Sequence, residues 1–253
     1  SETPGGAIFV SNIDHLIIKN SRFVRNQAKN GGAIYAENLK TLIQDGNDFD
    51  SNFAQENGGA LLAKLVINIC CKDILFLGNI AKQSGGAIHL ENVKSVKIKN
   101  IKIKSNKALW KGGGMSFANC TIIMCDQVTV VSNRATQNGG GICIINQLDP
   151  TFSRASLHIY HTKGYQTSPR PLEMFNSVFA TNNHNLKKYC QIVITHSVFI
   201  NNRANYGGSI YLRSINKPIL DMLQLVENTA NIHGAGVYCQ DCKGVYIVNS
   251  AIA

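Results

Sequence analysis

Three carboxylates crowd one short stretch of this chain, Asp45, Asp48 and Asp50 around Gly46-Asn47. Paired carboxylates can divide the work of acid and base in sugar cleavage, and clustered ones can hold calcium through hard oxygen ligands. The stretch resembles a calcium loop only faintly. Asp45, Asp73 and Asp126 recur at nearly the same place in a longer repeat, where Asp standing in for Asn at a corner explains them equally well. The seven histidines, His15, His89, His158, His161, His184, His196 and His233, make no metal spacing. No Ser-His-Asp or Cys-His grouping emerges. Catalysis, a bound metal and a cofactor are therefore not expected.

The eight cysteines, Cys70, Cys71, Cys120, Cys125, Cys143, Cys190, Cys239 and Cys242, share few repeat positions, and several fall where apolar residues belong. Core packing as small hydrophobes is the favoured reading, ahead of disulfides, and the single Cys239-x-x-Cys242 lacks the second pair that zinc would need. The net charge of +10 is uneven: Lys94, Lys97, Lys99, Lys102, Lys104, Lys107 and Lys111 alternate with Val96, Ile98, Ile101 and Ile103. Lys97, Lys99, Lys102 and Lys104 are candidates for binding an anionic partner, against the simpler role of a solvated face that discourages sideways sheet association. Aromatics do not interleave with them, which argues against nucleic acid.

All of these residues are placed by a repeat. Gly-Gly-Ala-Ile stands at 5–8, 31–34 and 85–88, with variants starting at Gly58, Gly112, Gly139, Gly207 and Gly234. The starts are separated by 26, then four times 27, then 68, then 27 residues. A period of this size means one structural unit stacked on copies of itself. With the first glycine as position 0, positions 3 and 5 are apolar throughout while position 4 varies through Phe9, Tyr35, Leu62, His89, Ser116, Cys143, Tyr211 and Tyr238. Alternation of this kind marks a strand with one buried face, so position 4 is expected to line an exposed one. Position 18 is Phe23, Phe49, Phe76, Ile103, Val130 and Leu225.

Two asparagine columns interrupt the strands. Position 7 holds Asn12, Asn38, Asn92, Asn119 and Asn146, and position 21 holds Asn26, Asn52, Asn79, Asn106, Asn133 and Asn228. Asn suits tight corners, and stacked amides can bond one to the next as ladders. Three short strands per unit, with every like residue above its predecessor, predict a right-handed parallel β-helix of about nine coils, rising roughly 4.8 Å per coil. The glycines would turn the chain at low steric cost, and the small third residue would permit close stacking.

The register breaks once. It departs at Gln147 and resumes near Phe175-Asn176-Ser177-Val178, so 147–174 reads as a loop inserted between coils, with a shorter seventh coil from about Asn183 to Tyr206. The whole of 1–253 is expected to form one β-helix domain, interrupted by that loop. No apolar run of 18 residues would cross a membrane as a helix. The chain opens at full stride and neither end carries a polar cap, which suggests a piece of a longer repeat protein or a unit that stacks end to end.

Gly-Gly-Ala-Ile in alternation with Phe-x-x-Asn, seen as Phe23-Val24-Arg25-Asn26, Phe49-Asp50-Ser51-Asn52, Phe76-Leu77-Gly78-Asn79, Phe179-Ala180-Thr181-Asn182 and Phe199-Ile200-Asn201-Asn202, resembles the repeats of polymorphic outer membrane proteins. The resemblance implies surface-exposed adhesins with a β-helical passenger region. The expected role is a structural or adhesive extracellular repeat protein that meets a protein or glycan partner. The alternatives are a carbohydrate-active β-helix and a self-assembling fibre unit associating end to end. Asn119-Cys120-Thr121 is a sequon and makes Asn119 a candidate glycosylation site.

Overall fold

The computed structural model describes residues 3–146 and 191–253. Its β-helix is built from the chain up to Asn146 and again from Gln191 onward. Every pairing is parallel, and like repeat positions stack. Phe23, Phe49, Phe76, Ile103, Val130, Phe199, Leu225 and Ile252 form one unbroken column across eight levels. The strands lie in three sheets. In the third coil they are Leu61–Lys72, Leu75–Leu77 and Ile80–Ala81. From the fourth coil the long first-sheet strand divides, there into Ile88–Glu91 and Ser95–Lys99.

The described residues make about seven turns, with eight strands in the second sheet and seven in the third, fewer than the nine coils expected. The reason is the place of the interruption. Ile142–Ile145 opens a coil that Gln191–Thr195 continues, stacking on Ile122–Asp126 below. Asn133 bonds directly to Asn202, 69 residues away instead of 27. The chain is thus interrupted within a coil, and no separate seventh coil lies between Asn133 and Asn202. Residues 147–174 and Phe179-Ala180-Thr181-Asn182 fall outside the described residues.

Two glycines open each coil for different reasons. Gly58 has φ 66, and a Cβ there would be driven into the carbonyl oxygen of Leu61. Gly59 lies outside the left-handed region, but its Cβ would collide with the carbonyl oxygen of Gly86 in the next coil. One residue turns the chain and the other lets the coils close up.

The two asparagine columns prove to be different things. At position 21 each amide joins three coils. Asn79 Nδ2 donates to Asn106 Oδ1 above at 3.0 Å and to the Phe49 carbonyl below at 3.0 Å, while its Oδ1 accepts from the Asn52 backbone N–H and Nδ2, both at 2.9 Å. The same arrangement runs from Asn26 through Asn52, Asn79, Asn106, Asn133 and Asn202 to Asn228, so Asn202 belongs to the ladder as well. Beside it the rings of Phe23, Phe49 and Phe76 stack at 4.8 Å with planes 8° apart.

At position 7 the shared property is backbone conformation. Asn12, Asn38, Asn92 and Asn119 have φ between 54 and 58, and Leu65, Ser214 and Asp241 in the same column have φ between 53 and 58. Asn38 Nδ2 donates to Asn12 Oδ1 at 2.6 Å, whereas Asn146 Nδ2 reaches the Cys120 carbonyl at 3.2 Å. Asn is used here for its tolerance of the left-handed region. Left-handed residues also mark the corners after the first and second sheets, at Asp73 and Asn100 and at Ser105 and Ser132.

Position 4 is not the exposed face expected of it. Tyr35, Leu62, His89, Ser116, Cys143 and Tyr211 are all buried, and only Phe9, at 55 %, is well exposed. The coil's own first glycine folds back against this residue, with Gly58 standing beside the Leu62 Cβ and Gly207 beside that of Tyr211. The tyrosines keep their hydroxyls paired, Tyr35 donating to Glu37 and Tyr211 to Gln240. Lys64 closes the first of these groups, 2.9 Å from Glu37 and 5.6 Å from the centre of the Tyr35 ring. His89 is the unpaired member: its buried Nδ1 has no partner, and burial, assisted by the charge of Lys111, pushes its pKa down to about 4.

Three stability measurements follow from this geometry. Asn79→Ala strands the Asn52 donors and the Phe49 carbonyl and should cost about 3 kcal/mol in denaturant unfolding, against less than about 1 kcal/mol for exposed Asn38→Ala. Leu65, a non-glycine residue at φ 55 and half exposed, should gain stability when replaced by Asn, by about 1 kcal/mol. Between pH 6.5 and 4 the unfolded chain binds a proton at His89 that the native state refuses. The native state is therefore favoured above the unfolded pKa and loses up to about 1.4 kcal/mol per pH unit as the pH falls through this window. Unfolding curves of His89→Leu at pH 7 and 4.5 should differ less than those of the parent; an unchanged pH dependence would exclude this role for His89.

Candidate ligand-binding groove

The residues that suggested chemistry are dispersed by the fold. Asp45 and Asp126 share one outward column of the first sheet, but Lys72 and Lys99 lie between them, which separates the carboxylates by three coils or roughly 14 Å. Asp73 sits one residue later, at the corner, paired with Lys72 at 3.1 Å and accepting from Asn100 at 2.6 Å. These contacts hold its carboxyl below the usual range, the Asn100 bond contributing most. Asp126 is engaged by Lys99 at 3.7 Å, His196 at 3.1 Å and Thr195 at 3.2 Å. Asp48 and Asp50 belong to the second sheet, Asp50 lying 3.7 Å from Arg22. Among the described residues, no three of His, Cys, Asp and Glu stand close enough to hold a metal ion.

Cys70, Cys71, Cys125, Cys143, Cys239 and Cys242 carry free thiols, and Cys190 lies outside the described residues. Burial pushes the thiols of Cys71, Cys125 and Cys143 up to about 12, which keeps them protonated and unreactive. Cys239 and Cys242 share a hydrogen bond that raises the first and lowers the second to about 7. Asn119, in the sequon, occupies a left-handed corner with φ 54, half-buried.

The lysine stripe is divided by the corners of the fourth coil. Lys97 and Lys99 project from the first sheet, beside Cys70 and Met124 and beside Lys72 and Asp126. Lys102 and Lys104 project from the second sheet, flanked by Leu75 and Thr129 and by Leu77 and Val131. Neighbours in sequence are thus sent to different faces, and residues far apart in sequence are stacked instead.

That stacking produces a basic column on the third sheet. Lys107, Arg134 and Arg203 lie in consecutive coils and directly in register. All three are exposed, and none forms an ion pair with a carboxylate of the described residues. Beside them runs a shallow groove of about 210 Å³ lined by Lys107, Arg134 and Arg203, by Thr136, Asn205 and Asn231, and by Ala108 and Ala135. The groove exists because the intervening position is a buried alanine, Ala108, Ala135 and then Ala204, tucked into the bend. Arg203 Nη2 donates to Asn231 Oδ1 at 3.1 Å, and Asn231 Nδ2 donates to Asn205 Oδ1 at 2.8 Å. Arg134 and Arg203 were not singled out from the sequence. The signal was available in the column of Lys107 and Arg134 exactly one repeat apart, but Arg203 joins it only when the interruption is placed inside a coil.

Comparison with known proteins bears on the repeat itself. Residues 20–37 and 73–91 match the Chlamydia polymorphic membrane protein repeat. Each matched stretch contains one Phe-x-x-Asn and one Gly-Gly-Ala-Ile, the residues that supply the aromatic column, the amide ladder and the coil-opening turn. No curated protein and no solved structure matches the chain significantly. The chain is a parallel β-helix in which two coils match the Chlamydia polymorphic membrane protein repeat.

Proposed function

We propose that this chain is part of a cell-surface protein and serves as a rigid adhesive scaffold, holding a binding face at fixed spacing toward a partner. The repeat supports the surface location, since it is that of polymorphic membrane proteins. The observation that carries the adhesive role is the basic column of Lys107, Arg134 and Arg203, three cations stacked in register along a groove and, among the described residues, without carboxylate partners. Unpaired cations in an ordered array carry electrostatic attraction outward, where it can steer and orient a partner. Among the described residues, Asp45 and Asp126 stand three coils apart and do not form an acid and base pair.

Two measurements test this. Antibodies against residues 191–253 should label intact cells that express the parent protein without permeabilisation. Beads coated with the purified chain should adhere to cultured cell monolayers at least several-fold above beads coated with albumin. Labelling only after permeabilisation, or bead adhesion at the albumin level, would overturn the proposal.

A further inference from the structure

We infer that the third-sheet groove binds an acidic oligosaccharide, laid along the helix axis with its carboxylate or sulfate groups on Lys107, Arg134 and Arg203. The inference rests on the adhesive reading and names its ligand. Its first support is spacing: the three cations are fixed one coil apart, so the column spans two steps, roughly 10 Å, which is the reach of a short run of sugar rings. Two of the three are arginines, whose planar forks match carboxylate and sulfate oxygens in pairs.

The second support is the uncharged wall of the groove. Thr136, Asn205 and Asn231 offer hydroxyl and amide groups that both donate and accept, the chemistry that sugar hydroxyls require, and they carry no charge to repel an anion. A plain polyanion such as a phosphodiester chain would use the cations and leave this wall idle. Nor is the groove a place for an added peptide strand, because the sheet's backbone groups are already spent between coils, as where the Lys107 N–H donates to Asn79 O at 2.9 Å and that of Arg134 to Asn106 O at 3.0 Å.

The third support is order. Asn231 holds the Arg203 guanidinium and is itself held by Asn205, so part of the conformational cost of binding is met before the ligand arrives. Buried alanines at Ala108 and Ala135 add no bulk between the cations and the polar residues that follow them. The positive stretch is also bounded, since the same column continues below as Phe53 and Ile80 and above as Thr229. A ligand of limited length is selected, rather than a film of counterions along the whole sheet.

Calorimetric titration of the full chain with a heparin-derived hexasaccharide tests the inference, with a desulfated, carboxyl-reduced hexasaccharide and a hexathymidylate as comparison probes. Binding of the acidic hexasaccharide should fall at least tenfold in Arg134→Ala/Arg203→Ala and less than threefold in Lys102→Ala/Lys104→Ala, which removes equal charge from the second sheet. Asn205→Asp, which leaves the cations in place but sets a carboxylate in the wall, should weaken binding about tenfold and supplies the answer should the arginine variant not fold. Hexathymidylate should bind at least tenfold more weakly than the acidic sugar. Absence of hexasaccharide binding, equal loss in the two double variants, or hexathymidylate binding as tight as the sugar would each overturn the inference. Bead adhesion that persists while hexasaccharide binding is absent would sink the glycan and leave the adhesive reading standing.

Discussion

Everything in this β-helix depends on one amide group repeated at one position. The Asn side chain at position 21 donates to the coil below, donates to the coil above and accepts twice from its neighbour, so each is fully satisfied only when the coils stand in register. A hydrophobic column alone tolerates sliding, because apolar contact is not directional. A chain of amides does not. It converts the approximate attraction of stacked Phe, Ile and Leu into a fixed alignment, and the paired glycines allow the backbone to come close enough for the amides to reach. Failure at one rung leaves buried donors and acceptors on both sides, which is why the ladder's cost of error is shared by three coils.

The scaffold keeps its interior uncharged. The core is Ile, Leu, Val, Phe and Ala with neutral amides, and the buried histidine is held in its neutral form. Ionised side chains sit at outward positions of the sheets, where some pair with the coil above or below, as Lys40 does with Asp14 and Lys64 with Glu37. The run of Lys107, Arg134 and Arg203 is distinguished by its stacking, three cations in consecutive coils one above another, without a carboxylate partner among the described residues. Its neighbours explain why it is accessible, since the bend beneath it is filled by alanine and leaves open space beside the column.

Much of this was legible in the sequence, and the parts that were not share a cause. Period, strand alternation and the aromatic column are one-dimensional patterns, and they lead directly to a parallel β-helix. The two Asn columns look alike in sequence because Asn serves both as a left-handed corner and as a hydrogen-bonding rung; only the geometry separates Asn38 from Asn79. Position 4 alternates like a solvent-facing residue, yet the returning glycine corner covers it, a tertiary effect that strand periodicity does not encode. The lysine stripe misled for the converse reason: charges adjacent in sequence, such as Lys99 and Lys102, are separated by a corner, while Lys107, Arg134 and Arg203 are brought together by stacking. In a solenoid the meaningful neighbour of a residue is one period away.

The join between Asn133 and Asn202 has a wider consequence. The ladder passes across it with bonds of 3.0 and 3.1 Å although the chain between is 69 residues long, where other rungs are separated by 26 or 27. Loop-closure entropy charges only about 0.8 kcal/mol for that extension, because the cost grows with the logarithm of length. A stack whose cohesion runs perpendicular to the chain is indifferent to how far the chain travels between rungs. The junction between Asn146 and Gln191 is consequently a natural grafting point, where domains of other origin could be exchanged without rewriting the coils on either side.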